Sequence, residues 1–325
     1  MSTSAFPLFQ LPSLALKEII EKIEGTKEQC KLSFCSKRMY YTVKYYIVKH
    51  SREKSTLSLK LCGSKDYTEI RVFNQKSPED VVTFGVRDEG DLYCWETEKI
   101  PSYKRTERLF SHGKNVIEGT KFFVESLFDL FAAKVEKIEV NDNSIWLLDF
   151  VEERQGGYSY DAEVWNETEQ TDEQLKHILL DLNPRSLEIN QKPSDKFEIE
   201  NFHKKYENLT IHAATWVTLE NLYQLDCVKV DINETFLSNT EINRYFKHVL
   251  LDGGAPRLRV FSAAVRRSME NVIMDGIRYL LVERPRLTAE GRYWNVIARV
   301  RRDGGWVMVY IKFTLQTVHL EIKQI

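Results

Sequence analysis

Glycine and proline are scarce in this chain, 14 and 8 of 325 residues. That excludes collagen-like and Pro/Gly-rich low-complexity architectures. Cysteine is rarer still: five residues, at positions 30, 35, 62, 94 and 227, odd in number and scattered. Such usage argues against a disulfide framework and fits free thiols in a reducing compartment. No apolar run approaches the roughly 18 residues of a membrane-spanning helix. No charged start followed by a long apolar stretch marks a secretory signal. These absences predict an intracellular protein, cytoplasmic, nuclear or both, with no membrane partner.

Motifs that carry chemistry are also missing. There is no GxxxxGK[ST], no GxGxxG after a strand, no HExxH, no GxSxG and no CxxC. Cys30 and Cys35 have the wrong spacing for a zinc knuckle and no partner pair downstream. The seven histidines, at positions 50, 112, 177, 203, 212, 248 and 319, are spread through the chain. The acidic run Glu163, Glu167, Glu169, Asp172 and Glu173 reads as a solvated loop entering a helix, where acids are favoured. Gly253-Gly254 and Gly304-Gly305 read as turns, since neither precedes a Lys-Ser/Thr pair. We expect no catalytic residue, no metal site and no cofactor, hence not an enzyme.

What the chain does have is aromatic mass, with 6 Trp, 15 Tyr and 17 Phe, enough for a sizeable core. Its net charge of −2 hides a pattern. Lys plus Arg against Asp plus Glu is 10 to 5 over residues 1–56, 12 to 13 over 57–135, 11 to 23 over 136–250 and 13 to 7 over 251–325. The acidic middle excludes a nucleic-acid partner there, because binding requires phosphate neutralisation. It predicts a basic or neutral partner surface. Arg257, Arg259, Arg266 and Arg267 are a basic run, either a solvated face or a partner contact.

Hydrophobic periodicity gives an α+β chain in four parts. Residues 1–50 read as three helices. Pro12 opens the first, Gly25 stops it, Thr26 to Gln29 has the form of a capping box for the second, and 36–50 carries the third. Residues 51–135 read as a β-rich linker followed by a helix: Leu57–Leu61, Thr68–Phe73 and Val81–Val86 alternate, Asp91–Trp95 adds a further strand, and 115–134 is helical. Over 136–265, strand-like pieces at Lys137–Val140, Ser186–Ile189, Asn208–Ile211, Cys227–Ile232 and Arg257–Phe261 alternate with helical or looping segments. Two of the intervals fall near the roughly 20–29 residues of a leucine-rich-type repeat. The expectation is an irregular leucine-rich-repeat-like strand/helix solenoid. Residues 266–325 close the chain with three β-like runs and an Asp303-Gly304 turn, an antiparallel β cap.

Two stretches carry a family resemblance. Phe6-Pro7-Leu8-Phe9-Gln10-Leu11-Pro12, then Ile19-Ile20, then Leu32-Ser33-Phe34-Cys35-Ser36-Lys37-Arg38, resembles an F-box, in the form found in nematode-expanded F-box proteins. The run from Asn208 through Trp216 to Leu222, Leu225 to Cys227, Asn243 to His248 and Pro256 to Val260 resembles the F-box-associated type 2 domain of the same proteins, with a core match over 208–260. Arg38 stands where many F-boxes carry Trp, so Tyr40 or Tyr41 is expected to fill that space. Val249 stands where the associated domain often has Trp.

The resemblance implies a substrate-recognition subunit of a Skp-cullin-F-box E3 ubiquitin ligase. The F-box would dock a Skp-family adaptor, a cullin would join through that adaptor, and the C-terminal region would hold an unknown protein substrate. The adaptor contacts it implies are Leu8, Leu11, Pro12, Leu14, Ile19, Ile20, Leu32, Cys35, Lys37 and Arg38; for these apolar residues internal core is the competing role. If the solenoid is right, its strand-lined face should carry substrate. Trp216, Tyr223 and Tyr245 are aromatic candidates for that contact. Core packing competes for Trp216, since tryptophan is highly buried on average. The alternative function is an interaction scaffold that uses the same F-box outside any ligase.

Overall fold

The computed structural model describes residues 11–23, 26–34, 37–50, 57–74, 77–88, 95–99, 107–113, 115–157, 159–165, 171–277, 280–283, 296–302 and 305–324. The chain divides into two compact units, residues 1–138 and 139–325.

The first unit opens with three helices: α1 (Ser13–Lys22), α2 (Thr26–Phe34) and α3 (Lys37–His50). Pro12 stands at the N-terminal boundary of α1, where its missing N–H has no intrahelical bond to lose. Leu16 and Ile20 of α1, Cys30 of α2 and Met39 and Val43 of α3 are buried. The side chain of Thr26, expected to cap α2, lies outside the described residues. Gln29 instead donates from Nε2 to the Ile23 carbonyl at 3.1 Å.

Five strands follow: β1 (Leu57–Gly63), β2 (Tyr67–Asn74), β3 (Ser77–Asp88), β4 (Trp95–Lys99) and β5 (Glu107–Gly113). β1, β2 and β3 pair antiparallel, β5 lies parallel to β3, and β4 pairs antiparallel with β5. The strand expected at Asp91–Trp95 falls mostly outside the described residues. β5 has no counterpart in the sequence expectation. Helix α4 (Val116–Phe131) is capped by Asn115, whose side chain accepts from the Ile117 N–H at 2.8 Å. At Gly119 a Cβ would stand 2.8 Å from Val86 Cγ1, so only glycine lets α4 lie this close to β3. Phe34 bridges the layers, with ring centroids 4.7 Å from Phe123 of α4 and 5.8 Å from Phe84 of β3.

The division between units falls within β6 (Lys134–Val140). The second unit continues with a 3-10 turn at Asp142–Ser144 and α5 (Trp146–Gln155), ended by Gly156 in the left-handed region at φ 57°. Strands and helices then alternate, except that coil alone joins β8 to β9: β7 (Asp161–Trp165), α6 (Asp172–Leu180), β8 (Ser186–Asn190), β9 (Asn208–Ile211), α7 (Leu219–Gln224), β10 (Lys229–Ile232), α8 (Asn239–Leu250), β11 (Val260–Ala264) and α9 (Glu270–Ile273). β7 to β11 pair in parallel and in sequence order. β7 fills the long interval left empty between Lys137 and Ser186 in the sequence reading. Glu163 reads in the sequence as part of an acidic loop, because the acidic side chains of β7 mask a five-residue alternation.

The strands share one register. Ala162, Leu187, Leu209, Val230 and Phe261 stand opposite one another across β7 to β11, and so do Val164, Ile189, Ile211, Ile232 and Ala263. All ten are buried. Each Val, Leu, Ile or Phe among them contributes about 1.5–3 kcal/mol on burial.

A second ladder ties the connecting segments together. Lys204 Nζ donates to the Leu182 carbonyl, Asn208 Nδ2 to Ser186 Oγ, and Asn221 Nδ2 to the Ile199 carbonyl; each pair is 22 residues apart. One step of the array is 22 residues from β8 to β9 and 21 from β9 to β10 in the strand register, while these three side-chain bonds each span 22. Helices α6, α7 and α8 each begin with a reciprocal cap: Thr171 with Gln174, Thr218 with Asn221, Ser238 with Glu241.

The chain then reverses. β12 (Leu280–Glu283), β13 (Val296–Arg302), β14 (Gly305–Phe313) and β15 (Thr317–Gln324) form an antiparallel meander. β15 pairs antiparallel with β11, so Leu320 and Val318 extend the two buried rows.

Asn221 combines a helix cap with a buried bond to the preceding coil. Asn221→Leu should remove both and lower stability by about 2 kcal/mol. A urea midpoint unchanged from wild type would show that the ladder contributes nothing.

Candidate recognition surface

Successive strand residues point to opposite faces. If one set of β7 to β11 is buried under helices, the other set must form a separate face. There Glu163, Glu188, Thr210, Asp231 and Ser262 stand in register, continued by His319 of β15. All six are half-buried. Neighbouring strands are about 4.8 Å apart, so these groups make one polar row. Three of the four on β7 to β10 are carboxylic acids. His212 Nε2 reaches Glu188 Oε1 at 2.9 Å, and Arg185 holds Asp161 through two bonds of 2.9 and 2.7 Å. The acidity of the middle of the sequence is therefore displayed in part on the strand face. Of the acidic run, Glu163 is on β7 rather than in a loop, Asp172 and Glu173 occupy the first turn of α6, and Glu167 and Glu169 lie outside the described residues.

A polar cluster sits on the helical side. Tyr160 donates to Glu152 at 2.7 Å, and burial, with that carboxylate, pushes its phenol far above the usual range. Lys204, nearly buried, donates to the Leu182 carbonyl at 2.8 Å and to Asn183 at 3.1 Å. Burial lowers its pKa against the opposing charges of Asp181 and Glu152. His177 bonds Asp181 through Nδ1 at 2.8 Å and Asp149 through Nε2 at 2.7 Å. Every polar group here points at a neighbour within the cluster, which suits structural joining. Among the described residues no group of three or more His, Cys, Asp or Glu is arranged to hold a metal ion. Cys227 is a buried thiol pushed up to about 11 by that burial, and Cys30 is pushed higher for the same reason.

The three aromatic candidates for substrate contact are not on the strand face. Trp216 follows β9 and is 8% exposed, edge-on to Phe197 at 5.1 Å and beside Phe202 at 6.0 Å. Tyr245, in α8, is 0% exposed and packs on Phe261 at 4.9 Å. A partner cannot touch a side chain with no exposed area, so Tyr245 is a core residue and Trp216 nearly so. Residue type makes both contact candidates, and it does not distinguish a hot spot from a core aromatic. Tyr223 of α7 is 37% exposed and lies 4.5 Å from the His248 ring. Gly254 approaches that ring so closely that a Cβ would overlap it.

In the first unit, Pro12, Leu14, Ile19 and Arg38 are exposed, Leu11 and Leu32 are half-buried, and Ile20 is buried at 2% exposure. Lys37 opens α3, with its side chain outside the described residues, as are Leu8 and Cys35. Tyr40 is half-buried and donates to Asp129 at 2.9 Å; burial and that carboxylate push its phenol up to about 12. Tyr41 and Tyr45 are exposed at 57% and 54%. Tyr45 was missed in the sequence. It follows Arg38 and Tyr41 at positions i, i+3 and i+7, a spacing that puts the three on one helix face.

The second unit is thus a parallel strand array with helices on one face and a polar row on the other, a class suited to presenting an extended surface. Residues 196–263 of it match the family model described as F-box associated. The match runs from the coil before β9 to β11 and includes the sequence stretch that carried the resemblance. No curated protein and no solved structure matches this chain. No helix among the described residues is long and apolar enough to cross a membrane.

His177 provides a titration test. Burial pulls its pKa down, but the bonds to Asp181 and Asp149 and their charges outweigh burial, and the net shift is upward from 6.5. A raised folded pKa means the paired imidazolium stabilises the fold fully below the unfolded pKa. That contribution is lost as pH rises through the folded value. All three groups are partly exposed, so it amounts to less than about 1 kcal/mol. An NMR titration should place His177 above 6.5, and Asp149→Asn should lower it. A wild-type value at or below 6.5 would refute the assigned pairing.

Proposed function

We propose that this chain is the substrate-recognition subunit of a Skp-cullin-F-box E3 ubiquitin ligase. The helices α1 to α3 act as the F-box that docks a Skp-family adaptor, and a cullin joins through that adaptor. The second unit acts as a leucine-rich-repeat-like solenoid that binds a protein substrate. The observation that carries the reading is the F-box-associated match over residues 196–263. Two features support it. The three N-terminal helices stand where such a protein would carry its F-box, and they leave Leu14, Ile19, Tyr41 and Tyr45 exposed. Exposed large apolar side chains on a small helical unit want a partner.

The chain itself does no bond chemistry on this reading. It raises the effective concentration of substrate lysines near a charged ubiquitin-conjugating enzyme. The polar row Glu163, Glu188 and Asp231 suits a substrate with a basic or neutral surface on the strand side.

Co-expression with a Skp-family adaptor, followed by size-exclusion chromatography with light scattering, tests the reading. Wild type should give a 1:1 complex that also retains a cullin. Leu14→Asp with Ile19→Asp should weaken the complex at least about tenfold, the size expected when central apolar contacts are lost. Leu14 is 66% exposed, so Leu14→Asp alone should weaken the complex without moving the urea midpoint. A folded wild type that binds no adaptor refutes the reading. An adaptor complex that excludes cullin assigns the chain to a scaffold outside the ligase.

A further inference from the structure

The fold splits the basic run Arg257, Arg259, Arg266 and Arg267. Arg257 turns inward, donating from Nη1 to the Asp226 carbonyl at 3.1 Å. Arg259 donates from Nη1 to the Leu258 carbonyl at 3.4 Å. Arg266 and Arg267 stand on the loop after β11, both exposed. Neither guanidinium has a carboxylate partner among the described residues. Arg266 lies only over the ring of Phe236, 5.3 Å from its centroid.

Beneath these two arginines is a cleft of about 370 Å³. It opens between the loop that joins β10 to α8 and the loop that leaves β11. Leu237 and Val265 are its buried lining residues. Phe236 and Met269 also line it, exposed at 64% and 40%. Exposed Phe and Met beside unpaired Arg is the composition enriched at protein interfaces and depleted on ordinary surface.

The cleft is held in shape by α8. Asn239 donates from Nδ2 to the Arg267 carbonyl at 2.8 Å, and its Oδ1 accepts from the Met269 N–H at 3.0 Å. One turn on, Asn243 Nδ2 donates to the carbonyls of Ile273 at 2.7 Å and Asp275 at 2.8 Å. From the other side, the Ser268 N–H donates to the Leu315 carbonyl at 3.0 Å and the Val265 N–H to the Gln316 carbonyl at 2.8 Å. A loop fixed at both flanks loses little freedom when a ligand settles on it.

We propose that this cleft binds an extended peptide segment of a partner protein, in which one apolar side chain is flanked by carboxylates. The volume admits a single Leu-, Met- or Phe-sized anchor at the small end of the ligand-pocket range. The two arginines offer planar, charge-assisted bonds to the flanking carboxylates. A lysine-flanked segment would meet like charge and be rejected. The inference rests on reading the second unit as the partner-binding half, but its test does not need the adaptor.

Fluorescence anisotropy with the full chain decides it. The probes are labelled nine-residue peptides with a central Leu, Met or Phe, flanked by Asp and Glu, by Ser, by Lys or by phosphoserine. The acidic set should bind at least about tenfold tighter than the lysine set and weaken as salt rises. Arg266→Glu with Arg267→Glu should cost at least about tenfold, and so should Phe236→Ser. All three residues are exposed, so the urea midpoint should hold. Absence of binding by every set, equal binding of the serine or lysine sets, or insensitivity to the variants would overturn the proposal. Preference for phosphoserine would give the cleft to a phosphorylated segment instead. A concentration-dependent dimer lost in the same variants would give it to a second copy of the chain. Adaptor binding by the same preparations is a separate readout, so peptide failure beside a normal adaptor complex would sink this proposal and leave the receptor reading standing.

Discussion

Ala162, Leu187, Leu209, Val230, Phe261 and Leu320 meet side by side, with Val164, Ile189, Ile211, Ile232, Ala263 and Val318 in the next row. These two rows constrain everything else in the second unit. A slip of one residue in any strand would turn its apolar pair outward and bury a polar one. Parallel strands cannot be joined by a tight turn, so each row forces a crossover segment between strands. The helices cover the apolar side. The remaining strand residues are left to form the polar face. The 22-residue ladder through Lys204, Asn208 and Asn221 then fixes how far each crossover can stray.

Charge is separated along this frame. Glu163, Glu188 and Asp231 are aligned by the strand register on one face, while Arg266 and Arg267 sit on a loop after β11. Aligned carboxylates repel one another, and the unit tolerates this because the row is only half-buried and His212 faces Glu188. A partner that carried a basic tract and an acidic, apolar-anchored tract would be oriented by both fields. Such complementarity acts on specificity and association rate more than on affinity.

The N-terminal helices, the helix α4 and the last three strands of the terminal meander are legible in the sequence because each has an uninterrupted period, whereas β12 has no counterpart in the sequence expectation. Asn208–Ile211 was read to the residue, since its apolar pair is flanked by polar neighbours. β7 was hidden because Asp161 and Glu163 made its alternation look like an acidic loop. β5 was not foreseen; its short apolar core of Leu109 and Phe110 is set among charged and small polar residues. The roles of the aromatics were not legible at all. Trp216, Tyr223 and Tyr245 differ in exposure from 37% to 0%, and that difference comes from where the fold places each one: Trp216 in the turn before α7, Tyr223 on α7 and Tyr245 on α8. Asn239 and Asn243 are equally silent, because their partners are backbone groups 28 to 32 residues away.

The place where the repeat lengthens is also where the cleft lies. Through β10 the coil-to-coil bonds join residues 22 apart, but the next step, from Asp226 to Arg257, spans 31. Part of the added length goes into α8, twelve residues against six for α7, and the rest into the segment between α8 and β11. Asn239 and Asn243 stand at i and i+4 in the first turns of α8, and those two amides hold the segment 267–275 in place. Phe236 lies in the same lengthened step, just before the cap of α8. This crossover carries both the exposed ring beside the cleft and the asparagines that hold its opposite wall.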